Sequence, residues 1–179
     1  MERKFELVSQ ENRKAQSGKL PLRGTKTSAG YDFYATEDLV IKPQDKAFFW
    51  TDVKAKMEEG EVLLGFIRSS MGIKKDLMLS NTVAVIDSDY YNNENNEGNI
   101  GISIRNLKPA IALSGQYLNV ETASGEVRMI PEVIDLTEEN TVVIKAGERV
   151  AQFIFAKFLE SENCNSNEER TGGIGSTSK

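Results

Sequence analysis

The chain is cut into short β-prone runs, and this punctuation limits its fold more than any other feature. Val, Ile, Leu, Phe and Tyr concentrate at 5–8, 31–35, 39–41, 47–55, 62–67, 83–86, 100–104, 141–144 and 150–156. Turn residues stand between them, as in Glu58-Glu59-Gly60-Glu61, Ala123-Ser124-Gly125-Glu126 and Ala146-Gly147-Glu148-Arg149. That spacing predicts strands joined by tight turns. No long stretch carries helical periodicity, and no repeat is present. The expected class is all-β, a sandwich, jelly roll or barrel. At 179 residues a single domain with an adequate core is expected.

Local signals sharpen the outline. Pro43 ends the run at 39–41. The run at 47–55 reads as one strand of strong β propensity. Ser69 or Ser70 is placed to cap a short helix from Met71 to Lys75. Val83-Ala84-Val85-Ile86 runs into Asp87-Ser88-Asp89-Tyr90-Tyr91, and an alternating run returns at 100–104. This reads as a β-hairpin with a wide polar tip at 92–98, either lying over a ligand mouth or merely solvated.

Composition removes several kinds of chemistry. Histidine is absent, so Ser-His, Cys-His and His-ligated zinc sites are excluded. The lone Cys164 cannot form an internal disulfide and fits a reducing compartment. The net charge of -5 comes without a basic stripe, so nucleic-acid binding is not expected. No membrane span is expected, and the start of the chain does not read as a signal peptide.

Three stretches remain that suit chemistry on phosphate. Arg68-Ser69-Ser70 offers a guanidinium and two hydroxyls at a strand-to-helix junction, suited to phosphate or simply to capping. The tail, Arg170 to Lys179, combines Arg, glycines, Ser and Thr, as a phosphate cradle or a loose terminus would. Asp87 and Asp89 offer a base for water or oxygen ligands for Mg²⁺. Together they suggest attack of water on a phosphate ester or anhydride.

Five segments, in order from residue 29 to 177, resemble the motifs of the trimeric all-β dUTPase family. They are Ala29-Gly30-Tyr31-Asp32-Phe33-Tyr34-Ala35, then Arg68-Ser69-Ser70-Met71-Gly72, then Asn81 through Tyr90. Gly147-Glu148-Arg149-Val150-Ala151-Gln152 follows, and last Arg170 with Gly172-Gly173-Ile174-Gly175-Ser176-Thr177. The resemblance implies a jelly-roll β-barrel at 1–160, a homotrimer with exchanged C-terminal tails, and a flexible tail at 161–179 acting as a lid. It implies hydrolysis of dUTP to dUMP and pyrophosphate with Mg²⁺, in the cytoplasm of a bacterium or a phage-infected host.

Roles carry over by position. Asp87 matches the acid that activates water. Tyr90 matches the ring under the deoxyribose, which excludes a 2′-hydroxyl. Asn81 helps read uracil beside the strand backbone at Val85 and Ile86. Arg68, Ser69, Ser70 and Gln152 match phosphate-side contacts. Arg170, Gly173, Ile174, Gly175, Ser176 and Thr177 match the lid. No residue is implied as a direct metal ligand; Asp32 matches an acid near the metal's water shell. Asp89 is expected to serve hairpin structure, Glu148 and Arg149 a turn and a subunit contact, and Tyr91 a turn.

The chain departs from the family at four places. Ile174 stands where Phe usually stacks on uracil, which reduces a stacking contribution of about 1–3 kcal/mol. Ser70 replaces the usual Gly after Arg-Ser. The tip at 92–97 is long. An added segment at about 108–140 is expected to form a hairpin around Ala123 to Glu126, and its analogy is with phage members that bind regulatory proteins. The alternatives are a dCTP deaminase or bifunctional enzyme of the same fold, and a regulatory binding protein on this scaffold. The first also has Arg-Ser-Ser but needs an acid on the returning strand, and 98–105 has none.

Overall fold

A computed structural model of the chain describes residues 2–15 and 17–162. Among them the strands are β1 (Lys4–Leu7), β2 (Leu22–Arg23), β3 (Tyr31–Tyr34), β4 (Leu39–Ile41), β5 (Lys46–Trp50), β6 (Val53–Lys56), β7 (Glu61–Ile67), β8 (Leu77–Leu79), β9 (Ala84–Asp87), β10 (Gly101–Asn106), β11 (Ile111–Glu121), β12 (Val127–Asp135), β13 (Val142–Ile144) and β14 (Arg149–Lys157). Two short helices, α1 (Ser69–Lys75) and α2 (Thr137–Asn140), complete the outline. The chain is therefore predominantly β, and every strand pairing is antiparallel.

The largest sheet runs β2-β3-β14-β7-β9 and a smaller one β5-β10-β8. Phe33, Leu63 and Phe153 of the first are buried in one core with Phe49, Leu79 and Ile104 of the second. The Phe33 and Phe153 rings meet at 4.4 Å. Fully burying a side chain of this size contributes about 1.5–3 kcal/mol, so this aromatic pair ranks among the larger local terms.

The 47–55 run is not one strand. It breaks at Asp52, whose φ of 56° is left-handed. The carboxylate there is fully buried, yet it accepts hydrogen bonds from the Lys14 and Ala15 backbone N–H groups and from Asn99 Nδ2, each at 2.9 Å. Three donors offset the cost of taking the charge from water. They also bolt the N-terminal segment to the corner between β5 and β6.

Nor is the expected hairpin a paired hairpin. β9 pairs with β7, whereas β10 pairs with β5 and β8. Its two flanks belong to different sheets. The connection at 92–98 is not a solvated tip either. Asn93, Asn96 and Asn99 are buried and mutually hydrogen-bonded, and Lys54 donates to Asn92 at 2.7 Å and Glu97 at 2.5 Å. Gly98 has φ of 80°, and a Cβ there would lie 2.6 Å from the Tyr90 carbonyl oxygen. Only glycine fits that turn. Tyr91, expected as a plain turn residue, donates its hydroxyl to Glu6. α1 also starts earlier than expected. Arg68 is its N-cap, without a side-chain capping bond, and Ser69 and Ser70 lie in the first turn.

Residues 108–140 carry a long two-stranded hairpin, β11 with β12, outside the barrel. Its Leu113, Tyr117, Val127 and Met129 are each more than half exposed. The short helix α2 that closes it was not foreseen. No helix among the described residues is long and apolar enough to cross a membrane.

Glu97 carries the clearest pH signature of the fold. The Lys54 ammonium, then the Ser9 backbone N–H, hold its carboxyl down from 4.5 to about 2. A depressed folded-state pKa stabilises fully above the unfolded value and fails as pH falls through the folded one. Glu97→Gln is expected to cost on the order of 1–3 kcal/mol at pH 7. It should also flatten the loss of stability between pH 4.5 and about 2. Urea unfolding at pH 7 and at pH 3 checks both outcomes.

Candidate active site

A cavity of about 340 Å³ opens between the two sheets. Asn81, Val85, Ile86, Asp87 and Tyr90 all line it, so five of the sequence-derived positions come together there. Phe48 of β5 and Ile102 and Ser103 of β10 form the opposite wall. Its size and mixed lining suit a small organic ligand with a few polar anchors.

Each wall follows from local structure. β9 is the edge strand of its sheet, paired to β7 on one side only. No strand among the described residues joins its other edge. The strand that lines the cavity thus has a row of backbone groups available for a ligand. The turn before it is tight: the Val83 N–H donates to the Asn81 carbonyl at 2.7 Å, and Thr82 has φ of 60°. Asn81 is thereby held exposed at the rim. The Ser80 N–H donates to the Ser103 carbonyl at 2.9 Å, which ties this turn to β10.

Asp87 closes β9 and is half-buried. A 3-10 turn, Ser88–Tyr90, follows at once. It swings Tyr90 into the wall, where the side chain is only 5% exposed. The Tyr90 hydroxyl donates to the Asn99 carbonyl and accepts from Asn96 Nδ2, both at 2.8 Å. Asp89 is exposed and does not line the cavity.

A second cluster forms across β3, β14 and the end of β7. Gln152 sits opposite Asp32 on one side and Phe66 on the other. Asp32 is buried; its Oδ1 lies 3.1 Å from Arg68 Nε and its Oδ2 3.3 Å from Arg149 Nη1. One carboxylate thus orders two guanidiniums, which have five N–H donors each. Ser69 and Ser70 are exposed beside them. Gly30 makes room for this grouping, because a Cβ there would lie 2.9 Å from Gln152 Oε1.

Arg149, expected with Glu148 to serve a turn and a subunit contact, also reaches Asp32 with its side chain. Glu148 does hold that turn. It accepts from the Lys145 N–H at 2.8 Å, which with Lys75 at 3.1 Å keeps its carboxyl below the usual value. Phe48, Ser103, Asn96 and Asn99 were missed. Their placement depends on pairings across distant strands, which leave no local motif. Arg170, Gly173, Ile174, Gly175, Ser176 and Thr177, with Cys164, lie outside the described residues.

The two clusters do not meet in one chain. Asp87 is opposite Val62 near the start of β7, and Arg68 follows the end of that strand. At the rise of a strand this is roughly 20 Å. No group of three or more His, Cys, Asp or Glu side chains suited to a metal occurs among the described residues.

Comparison with known proteins gives a consistent picture. A family model described as dUTPase matches residues 16–113. Deoxyuridine 5'-triphosphate nucleotidohydrolase of Lactococcus lactis is 39% identical over 88% of this chain and 87% of that protein. The crystal structure of dUTPase from Streptococcus mutans covers 88% of this chain and 98% of its own, with 37% identity and a TM-score of 0.62. The dUTPase from phage phi11 of S. aureus, solved to visualise a species-specific insert, is 30% identical. It covers 94% of this chain and 97% of its own with a TM-score of 0.63. A variant of that phage enzyme coordinates a structural Mg(II) ion.

Proposed function

We infer the working of the site from a plain premise: this chain belongs to the dUTPase family and hydrolyses dUTP to dUMP and pyrophosphate. The observation that carries the reading is the cavity at the edge of β9, which sets Asp87 and Tyr90 on one wall. Uracil lies along β9. The backbone at Val85 and Ile86, with the Asn81 side chain, meets its donors and acceptors. Cytosine presents the reversed pattern and would leave buried groups unpaired. The deoxyribose packs on Tyr90, where a 2′-hydroxyl has no room.

Asp87 orients a water and takes its proton as the water oxygen bonds to the α-phosphorus. The bond from that phosphorus to the oxygen bridging the β-phosphate breaks, and pyrophosphate leaves. Arg68, Ser69, Ser70 and Gln152 hold the phosphates, and Arg149 joins them through the shared Asp32. Mg²⁺ offsets the charge of the triphosphate when bound. Asp32, already engaged by two arginines, would face it only through water.

The separation of roughly 20 Å between the Asp87 end and the Arg68 end of β7 supports a site shared between copies. One subunit supplies the β9 cavity, a second the Asp32 cluster, and a third its C-terminal tail with Arg170, Ile174, Ser176 and Thr177. This is a homotrimer with exchanged tails, a barrel domain at 1–160 and a lid at 161–179. The compartment is the cytoplasm of a bacterium or phage-infected host. No acid stands on 98–105, which weighs against a dCTP deaminase. The exposed apolar hairpin of β11 and β12 supports a further partner, a regulatory protein docking at 108–140.

Asp87→Asn is expected to lower kcat for pyrophosphate release by about 10²–10⁴-fold while dUTP binding is retained. A variant with unchanged kcat would remove Asp87 from the mechanism. Replacing 111–135 by a short turn should leave dUTP turnover intact and abolish capture of the regulatory protein in a pull-down from infected cells. Equal turnover with capture retained would place that partner elsewhere.

A further inference from the structure

The asparagine-rich loop between Tyr90 and β10 is unusually ordered for a polar connection. Asn93 and Asn96 are 8% and 5% exposed, and Asn99 is wholly buried. Both ends of the Tyr90 residue are tied to it. The Tyr90 carbonyl accepts from Asn93 Nδ2 at 2.9 Å, and its hydroxyl meets Asn96 and Asn99. The orientation of the Asn96 amide is settled by its neighbours. Its Oδ1 faces the Gly98 backbone N–H at 3.2 Å and Asn93 Nδ2 at 2.7 Å. A backbone N–H can only donate, so Oδ1 must accept there and Nδ2 must face the tyrosine. The Tyr90 hydroxyl, accepting from Nδ2, then gives its own proton to the Asn99 carbonyl. One arrangement of donors satisfies every group.

We propose that Asn96 is a positioning residue for substrate discrimination: its amide holds the Tyr90 hydroxyl, and through it the ring that walls off a 2′-hydroxyl. The inference rests on the reading of Tyr90 as the sugar wall. Geometry favours this role over a purely structural one. Asn96 touches the far end of the ring, and the residue it grips lines the cavity. Releasing the hydroxyl lets the ring tilt without moving β9, which is held by its own pairing to β7. The loop thereby converts a buried polar network into a fixed apolar wall. The network reaches further, since Asn99 Nδ2 donates to Asp52 at the corner of β5 and β6.

Asn96→Asp is the sharpest variant. It keeps Oδ1 for Gly98 and Asn93 and turns the Nδ2 donor, which faces both the Tyr90 hydroxyl and the Asn99 carbonyl, into an acceptor, so the one hydroxyl proton can serve only one of its two partners. With the full chain, kcat and KM are measured for dUTP and UTP. The ratio of kcat/KM for dUTP over UTP should fall about threefold to tenfold, the worth of one hydrogen bond. The fall should come through a lower KM for UTP, with kcat for dUTP nearly unchanged. In a Tyr90→Phe background the same substitution should change the ratio by less than about twofold, because the group it acts through is gone. Equal effects in both backgrounds, or an unchanged ratio in a cooperatively folded variant, would overturn the proposal. Should Asn96→Asp fail to fold, Asn96→Ser shortens the side chain without burying a charge and is judged by the same ratio. Tyr90→Ala separates the two levels. If it leaves the ratio intact, the sugar-wall reading itself is wrong. If it collapses the ratio while Asn96→Asp does not, only the role of Asn96 is lost.

Discussion

The pairing of β7 with β9 is the constraint on which the site depends. Asp87, Ile86, Val85 and Ala84 face Val62, Leu63, Leu64 and Gly65 in turn. A slip of one residue would exchange the two faces of β9, bringing Val85 where Ala84 and Ile86 now lie. The same β7 pairs with β14 along its other side, and there Phe66 meets Gln152. One strand thus sets the cavity-lining edge of β9 along one side and the Gln152 and Asp32 cluster along the other. It also keeps Asp87 and Arg68 roughly 20 Å apart along its length.

Polar groups do much of the remaining fastening. Asp52 is fully buried and answered by donors from Lys14, Ala15 and Asn99. Glu97 joins Lys54 to Ser9 and Asn12. These contacts draw the N-terminal segment, the corner of β5 and β6, and the loop after Tyr90 into one unit. A buried charge without such partners would cost far more than it returns. With them, the unit fixes the wall of the cavity without occupying the apolar core of Phe33, Phe49 and Phe153.

Much of this was legible in the sequence, and the rest was not for definite reasons. The β-prone runs marked most of the barrel strands, though not the short β2 and β8, since their residues suit a pleated, half-buried surface. Asn81, Val85, Ile86, Asp87 and Tyr90 were named from their match to one family motif that is continuous in sequence, and the fold brings all five to one cavity. The break at Asp52 was hidden, because its left-handed backbone is stabilised by donors from Lys14, Ala15 and Asn99, remote in sequence. The polar loop misled for the same reason. Asparagines between strands ordinarily signal solvent, and only the fold turns Asn93, Asn96 and Asn99 inward. Arg149 was read from its neighbours in the turn, whereas its side chain answers Asp32 on another strand.

The account stands or falls on a site completed by different copies of the chain. Asp87→Asn and Arg68→Ala should each be nearly inactive toward dUTP when purified alone. Mixed in equal amounts under conditions that exchange subunits, they should regain about a quarter of the wild-type rate. That is the share of sites drawing an intact carboxylate from one copy and an intact guanidinium from another. A mixture as inactive as its parts, despite proven exchange, would mean that both residues must come from a single chain and would contradict the shared site.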